Sequence, residues 1–372
     1  MIPRIGLVGI GGYGASHLGA VLAAHRDERV RLVGVADPRP PVDGLLPDGV
    51  AHHPDADGLF AAGGTDLIII STPIHTHAAI ALAAMDHGND VLLEKPPAAS
   101  LAEFTAISER AAATGSLVQV GFQSLGSSAI PAIRAAVADG EIGEVVRYGA
   151  TGAWVRDDRY WSRSRWAGRR TLDGAVVADG VLTNPFSHAT ATALAIAGAD
   201  RLEDVVDVRL DLRRANEIEA DDTSVAVLTL ADGLRVTTAV TLCAERPEEP
   251  SVEIVGTRGT IRFSYTLDVV QLVREDLPPR TLQYDRITPF EGLLAARELG
   301  TPLHAGLERT GGFLRLLDAV MAAPSPRALP DDAWREVQDI EGRHRVVDGI
   351  EHALQEALRR ETTFDALDLP WS

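Results

Sequence analysis

The chain has 372 residues, 45% of them hydrophobic and 24% charged, which is enough to bury more than one core; two domains are the natural division. Its net charge of −18 excludes the broad basic face that nucleic acid or an anionic membrane requires. One cysteine, Cys243, excludes an intramolecular disulfide and a zinc site built from several thiolates. No leader-like start and no apolar run near the ~20 residues of a membrane span are present, so a cytoplasmic protein with a small-molecule partner is expected.

Residues 5–8 read as a short apolar strand and residues 14–24 as a helix with a stripe through Leu18, Val21 and Leu22. A second strand follows at 31–36. Residues 66–71 hold four consecutive aliphatics, Leu67 to Ile70, as a strand covered on both faces needs. Helix 75–87, strand 90–93, helix 101–114 and strand 117–121 continue the alternation. The pattern predicts an α/β fold over residues 1–122, a parallel doubly wound sheet of the Rossmann type.

The pattern changes beyond Gly121. A helix is expected at 128–139, a strand near 144–153, a polar Arg- and Trp-rich stretch at 156–174 and a helix at 186–197. From 204 to 284 the apolar period is near two, with turns at Ala231-Asp232-Gly233 and Gly256-Thr257-Arg258-Gly259. That predicts a mostly antiparallel sheet with one face covered, and an α+β domain over residues 123–372. Cys243 ends one of these strands and is expected to be a small core residue. Residues 304–323 and 332–360 read as helical, the latter with Val337, Ile340, Val346, Val347, Ile350 and Leu354 apolar. A helical extension is therefore expected from about residue 325, packed on the body or on a neighbouring subunit.

Several motifs carry chemistry. Gly9-x-Gly11-x-x-Gly14 follows a strand and opens a helix. The first glycine permits the turn, the second lets a pyrophosphate approach, and the third allows close packing of helix on strand. Gly9, Gly11, Gly12, Tyr13 and Gly14 are thus candidates for binding a dinucleotide. Asp37 ends the second strand, where an acidic side chain bonds the ribose hydroxyls and repels a 2′-phosphate; Arg39 nearby softens that preference, so NAD is expected with NADP possible. Thr72-Pro73-Ile74-His75-Thr76-His77 leaves the next strand at the ligand-binding edge of such a sheet. His75 and His77 are two residues apart, which argues against a shared metal, and no metal is expected. Thr72, Pro73, His77 and Glu94 join the cofactor candidates.

Lys95 stands out. Of 35 basic residues it is the one lysine; all others are arginine. An ammonium is a compact donor that can shed its proton when desolvated, whereas a guanidinium cannot. Glu94-Lys95-Pro96-Pro97 follows a strand end, so Lys95 is expected at the same edge, able to polarise or protonate a substrate oxygen next to the cofactor.

These features together resemble the glucose–fructose oxidoreductase/inositol dehydrogenase/MocA (Gfo/Idh/MocA) family. The resemblance rests on the glycine loop, Asp37-Pro38, Thr72-Pro73 with His77, and Glu94-Lys95-Pro96. It continues through Asp139-Gly140-x-x-Gly143, Asn184-x-x-x-His188 and Gly256-Thr257-x-Gly259-Thr260, to about residue 320. It implies a C-terminal domain with a large, open, mixed sheet whose exposed face often forms an oligomer interface, hence a homodimer or homotetramer. It also implies that Lys95 is the active-site lysine. The family usually carries aspartate four residues before the histidine; here Asn184 stands in that place, and the usual glycine run before it is Ala178-Asp179-Gly180-Val181. The i, i+4 spacing puts Asn184 and His188 on one helix face. Lys95 and His188 are the catalytic candidates, while Lys95, Gln123, Arg165, Asn184 and His188 are the substrate-binding candidates. Arg165 lies in the Trp/Arg-rich loop 161–170, a composition suited to polyols or carboxylates.

The resulting expectation is an NAD(P)-dependent oxidoreductase of a polyol, sugar or related hydroxylated molecule. Two other functions fit the same residues. One is an NAD-dependent lyase or glycosidase with transient redox. The other is a non-catalytic dinucleotide-binding regulator, towards which Asn184 points and against which Lys95 and His188 argue.

Overall fold

The structure, a computed structural model, describes residues 2–340 and 342–371. The chain forms two compact units: one runs through Phe122 and includes Thr288–Leu307, and the other holds Gln123–Ile287 and the residues from Glu308 onward.

In the first unit, β1 (Arg4–Val8), α1 (Gly14–Arg26), β2 (Arg31–Ala36), β3 (Ala51–His53), α2 (Ala56–Ala62), β4 (Leu67–Ile70), α3 (His77–Asp86), β5 (Asp90–Leu93), α4 (Leu101–Thr114) and β6 (Val118–Val120) alternate. The strands form one parallel sheet in the order β3-β2-β1-β4-β5-β6. All four residues of β4 are fully buried, because helices cover both faces of a parallel sheet. Side-chain caps start the helices: Asp55 accepts from the Gly58 N–H at α2, and Ser100 from the Glu103 N–H at α4. Glu103 reaches back to the Ala99 N–H, and Gly115 in the left-handed region ends α4. The strand order reverses between β1 and β4, where open sheets of this type bind ligands beyond their carboxyl ends.

In the second unit, α5 (Ala129–Ala138), β7 (Val145–Val155), α6 (Asp158–Ser162), β8 (Thr171–Leu172), β9 (Ala175–Val176) and α7 (Ser187–Ala197) come first. Then follow β10 (Val205–Arg214), β11 (Thr223–Leu230), β12 (Arg235–Thr241), β13 (Cys243–Gly256), β14 (Gly259–Ser264), β15 (Val269–Arg274) and β16 (Leu277–Gln283). Helix α8 (Pro289–Leu299) returns to the first unit, where Phe290 and Leu293 join the core of Ile5, Leu7, Leu32 and Leu92. The second unit closes with α9 (Gly311–Ala322), β17 (Arg327–Ala328), β18 (Trp334–Gln338), β19 (Arg343–Val347) and α10 (Ile350–Arg360).

Nine strands form a mixed sheet in the order β16-β15-β14-β13-β7-β12-β11-β10-β17, antiparallel except for β7 with β12 and β10 with β17. Its two faces separate cleanly on β7. Gly152 faces Phe186 just ahead of α7, so close that a Cβ would meet the ring at 2.1 Å; Gly149 faces Leu358 on α10. Both faces of the sheet centre are therefore covered, where one covered face was expected.

Two further expectations change here. Residues 332–360 are not one helix: β18 and β19 form a hairpin before α10 begins. Trp334, Val337, Val346 and Val347 are aromatic or β-branched and fit a pleated surface, and Gly342 at φ 142 breaks any helix between them. Only α10 is an amphipathic helix, with Ile350, Ala353, Leu354, Ala357 and Leu358 buried at helical spacing. This terminal segment lies on the face implied to be open. Ala153, Val225, Val227 and Ala239 of the sheet form one core with Val347, Ile350, Leu354, Leu358, Phe364, Leu367 and Trp371. Burying each Leu here contributes about 1.5–3 kcal/mol. The chain thus covers the centre of its own sheet. The same face continues over β14 and β15 as a polar surface with Arg147, Glu253, Arg262 and Gln271.

Candidate active site

The glycine loop follows from packing that tolerates no Cβ. Gly9 has φ 86, and a Cβ there would lie 2.4 Å from the Ser71 carbonyl oxygen; one on Gly14 would lie 2.0 Å from the Gly9 carbonyl oxygen. Gly12 has φ 55 and nothing within 4 Å of its Cβ position, so the loop is packed on one side and open at its crest. That is the shape a pyrophosphate requires. Tyr13 is exposed, with its ring edge-on to His17. Asp37 is buried: its Oδ2 accepts the Ile10 N–H at 3.0 Å and its Oδ1 the Arg39 N–H at 2.9 Å. A carboxylate has about four lone-pair sites, so two remain for ribose hydroxyls. The Arg39 side chain is exposed, with one guanidinium nitrogen 2.8 Å from the Cβ position of Gly11.

Thr72 and Pro73 follow β4 at the same edge. The His77 ring is buried between two backbone oxygens, 2.8 Å from that of Thr72 and 2.9 Å from that of Pro96. Burial pushes its pKa down, against the pull of those carbonyls. His77 therefore pins the loop after β4 to the loop after β5. His75 is exposed.

Glu94 and Lys95 leave β5, which pairs with β4. The Glu94 carboxylate is buried; Oε1 meets His17 Nε2 at 2.7 Å, and Oε2 accepts the Lys95 N–H at 3.1 Å. A Cβ on Gly121 would come 2.5 Å from Glu94 Oε1, so glycine there makes room for the carboxylate. Glu94 thus ties α1, the helix that opens on the glycine loop, to the backbone of Lys95. Sequence reasoning missed His17. The available signal was its place three residues after Gly14, one turn into α1.

The second unit gathers another set. Gln123 opens a 3-10 turn, Gln123–Gly126. Ser124 Oγ accepts from Thr192 at 2.9 Å and lies 3.2 Å from His188 Nδ1. One turn earlier on the chain, Asn184 Nδ2 donates to Asp179 Oδ1 at 2.5 Å. Asp179 also takes both contacts of Arg163 Nη2 at 2.8 Å and the Gly168 N–H at 2.7 Å. Gly180 is required beside it, since a Cβ would meet Asp221 Oδ1 at 2.0 Å. Asp221 is fully buried, and desolvation lifts its carboxyl from 3.8 to about 6 despite the Ser224 hydroxyl that donates to it.

Asp179 and Arg163 were not among the candidates; the first was noted only as a departure from a glycine run. Arg163 lies over the rings of Tyr160 and Trp166, 3.8 and 4.6 Å from their centroids. Arg165 is exposed and pairs with exposed Asp173 at 3.3 Å. The Trp/Arg-rich stretch is thus partly an internal lock. Among the described residues no cluster of His, Cys, Asp and Glu has metal-binding geometry, and no helix is long and apolar enough to cross a membrane.

Residues 3–122 match the model of an oxidoreductase family with an NAD-binding Rossmann fold, and residues 130–262 match the Gfo/Idh/MocA C-terminal domain. Inositol 2-dehydrogenase 1 of Saccharopolyspora erythraea is 34% identical over 149 residues, 39% of this chain and 44% of the relative. Inositol 2-dehydrogenase of Rubrobacter xylanophilus is 29% identical over 267 residues, 69% of this chain and 70% of the relative. Among solved structures, the WlbA dehydrogenase from Bordetella pertussis in complex with NADH and UDP-GlcNAcA superposes with a TM-score of 0.69 at 24% identity, covering 86% of this chain and 95% of that one. Levoglucosan dehydrogenase in complex with NADH gives 0.71 at 20% identity, covering 86% and 96%. The cofactor is NAD, and the open-crested glycine loop fits it. The chain belongs to the Gfo/Idh/MocA family of NAD-binding oxidoreductases.

Proposed function

We propose that the protein is an NAD-dependent dehydrogenase of a polyol, sugar or similar hydroxylated small molecule, with Lys95 and His188 as its acid/base pair. The inositol 2-dehydrogenase relatives support the substrate class. The observation that carries the reading is the setting of Lys95. The only lysine of the chain follows the end of β5, its backbone fixed by Glu94, itself held by His17. NAD supplies the hydride acceptor when bound. Gly9, Gly11, Gly12, Tyr13 and Gly14 would hold its pyrophosphate, and Asp37 its adenosine ribose. Thr72, Pro73 and Glu94 would line the same edge. Arg39, exposed beside Asp37, sets how far NADP is tolerated. His77 acts by joining two loops rather than by touching the cofactor.

Lys95 holds or gives a proton at the substrate oxygen. His188, with Ser124 on its Nδ1, exchanges a proton with substrate. Gln123 and Asn184 would bind hydroxyls.

The test is a panel of inositols, sugars and other polyols assayed for NADH and NADPH formation, followed by Lys95→Ala on the best substrate. A loss of roughly 10²–10⁴-fold in kcat with unchanged NADH affinity is expected. Normal turnover by Lys95→Ala would remove the central assignment.

For self-association as a homodimer or homotetramer we propose the polar flank over β14 and β15, since the sheet centre is covered. An interface of arginine–glutamate character weakens with salt. Sedimentation at low and high ionic strength tests it; a salt-independent oligomer points to another surface.

A further inference from the structure

Asp179, which follows the Trp/Arg-rich stretch, is enclosed, with its side chain 1% exposed. Both its oxygens meet donors: Arg163 on each, the Gly168 N–H on Oδ2 and the Asn184 amide on Oδ1. A carboxylate so surrounded accepts and does not donate. The Asn184 amide is therefore held one way round, with Nδ2 towards Asp179 and Oδ1 on the opposite side of the group. A flipped amide would put two oxygens together at hydrogen-bond distance inside a buried site, and an aspartate at 184 would put two carboxylates there.

The backbone reinforces the arrangement. The Asn184 N–H donates to the Gly180 carbonyl oxygen, and the Ser187 hydroxyl donates to the Asn184 backbone carbonyl oxygen. Arg163 belongs to the same cluster: besides Asp179 it donates to the Tyr160 carbonyl oxygen, and it stacks on two aromatic rings.

We infer that Asp179 is a positioning residue for substrate specificity. It holds the Asn184 amide with Nδ2 on Asp179, and so sets which way round Asn184 meets a substrate hydroxyl. This rests on the reading of Asn184 as a substrate residue. Asp179 itself touches no substrate; it acts through Asn184.

The experiment uses the full-length enzyme with NAD and the best polyol from the panel, reading KM and kcat separately for four variants. Asn184→Asp should raise KM at least about tenfold, the scale of one hydrogen bond to a charged group, and the loss should ease at low pH where the two carboxyls share a proton. Asp179→Asn should raise KM about three- to tenfold with a smaller change in kcat, because its amide no longer dictates the flip. The exchanged double variant, Asp179→Asn with Asn184→Asp, restores one acid facing one amide. It should recover KM to within about threefold of the starting enzyme and add an acid limb to the pH profile. Asp179→Ala, which removes the pair altogether, should not be rescued by Asn184→Asp. An unchanged KM in Asp179→Asn, or a double variant no better than Asn184→Asp alone, overturns the inference. If Asp179→Asn fails to fold, Asn184→Asp against the double variant still decides. An enzyme that turns over no polyol at all overturns the functional reading instead, so the two failures are distinct.

Discussion

The glycine loop of the first unit and the Asp179 cluster of the second are both crowded polar sites, but they are held in opposite ways. In the first, main chain packs on main chain: Gly9 against the Ser71 oxygen and Gly14 against the Gly9 oxygen. In the second, side chains hold side chains: Asp179 with Arg163 and Asn184, Ser124 with Thr192 and His188. A site built from backbone fails when a methyl group is added. A site built from side chains fails when a charge or a hydrogen-bond direction is changed.

The largest expected effect tests the first half of this contrast. Gly14→Ala places a Cβ 2.0 Å from a backbone oxygen that has nowhere to move. We expect a loss above about 4 kcal/mol or no folded protein, with NAD binding abolished. Thermal melts with and without NAD check it. Wild-type behaviour would mean that the loop is not built as described.

Next comes the segment that covers the sheet. Leu354→Ala should cost about 2–5 kcal/mol, since Leu354 is enclosed between α10 and the sheet. Denaturant titration measures it. A cost near zero would mean that α10 leaves the sheet in solution and that the face is open to a partner after all.

The same contrast explains what was legible in the sequence. Backbone-built features announce themselves through glycine spacing and strand ends, so the parallel sheet, the glycine loop, Asp37 and the Glu94-Lys95 edge were readable. His17 was not, because its partner lies far along the chain at Glu94 and only the fold brings them together. Asp179 was visible only as a missing glycine, since its meaning depends on Arg163 and Asn184. Helix α8 was missed although Thr288-Pro289-x-Glu291 and Gly300 mark both its ends. The C-terminal hairpin was read as helix because its apolar residues also fit a helical count, and the β-branched pairs gained weight only once opposed across strands.

A pH test sharpens the side-chain half. Asp221 packs against Gly180, beside Asp179, and its folded pKa of about 6 lies above the ordinary 3.8. The folded state therefore binds this proton more tightly than the unfolded chain. The associated stability is full below about pH 3.8 and is lost as pH rises to about 6. The change is on the order of 3 kcal/mol. Asp221→Asn removes the titration: it should match the parent near pH 4 and exceed it above pH 6, as denaturant midpoints across that range would show. A variant less stable at pH 8 would mean that the ionised carboxylate is needed where it lies.

The smallest expected effect concerns Arg165. Its composition and neighbourhood made it a substrate candidate, but its guanidinium and that of Arg163 have different surroundings. Arg163 is gripped by buried Asp179 and two rings, while Arg165 meets Asp173 across a surface where both side chains are about three-quarters exposed. A pair so hydrated contributes about 0–1 kcal/mol. Arg165→Ala should therefore leave thermal stability within about 0.5 kcal/mol of the parent. If the loop serves mainly as a lock for Asp179, KM for the best polyol should stay within about twofold, far below the threshold for a lost charged hydrogen bond. A rise beyond tenfold with unchanged stability would restore Arg165 as a substrate contact. It would also place a cation at the site after all, and so point to an anionic group on the substrate that Asn184 alone would not select.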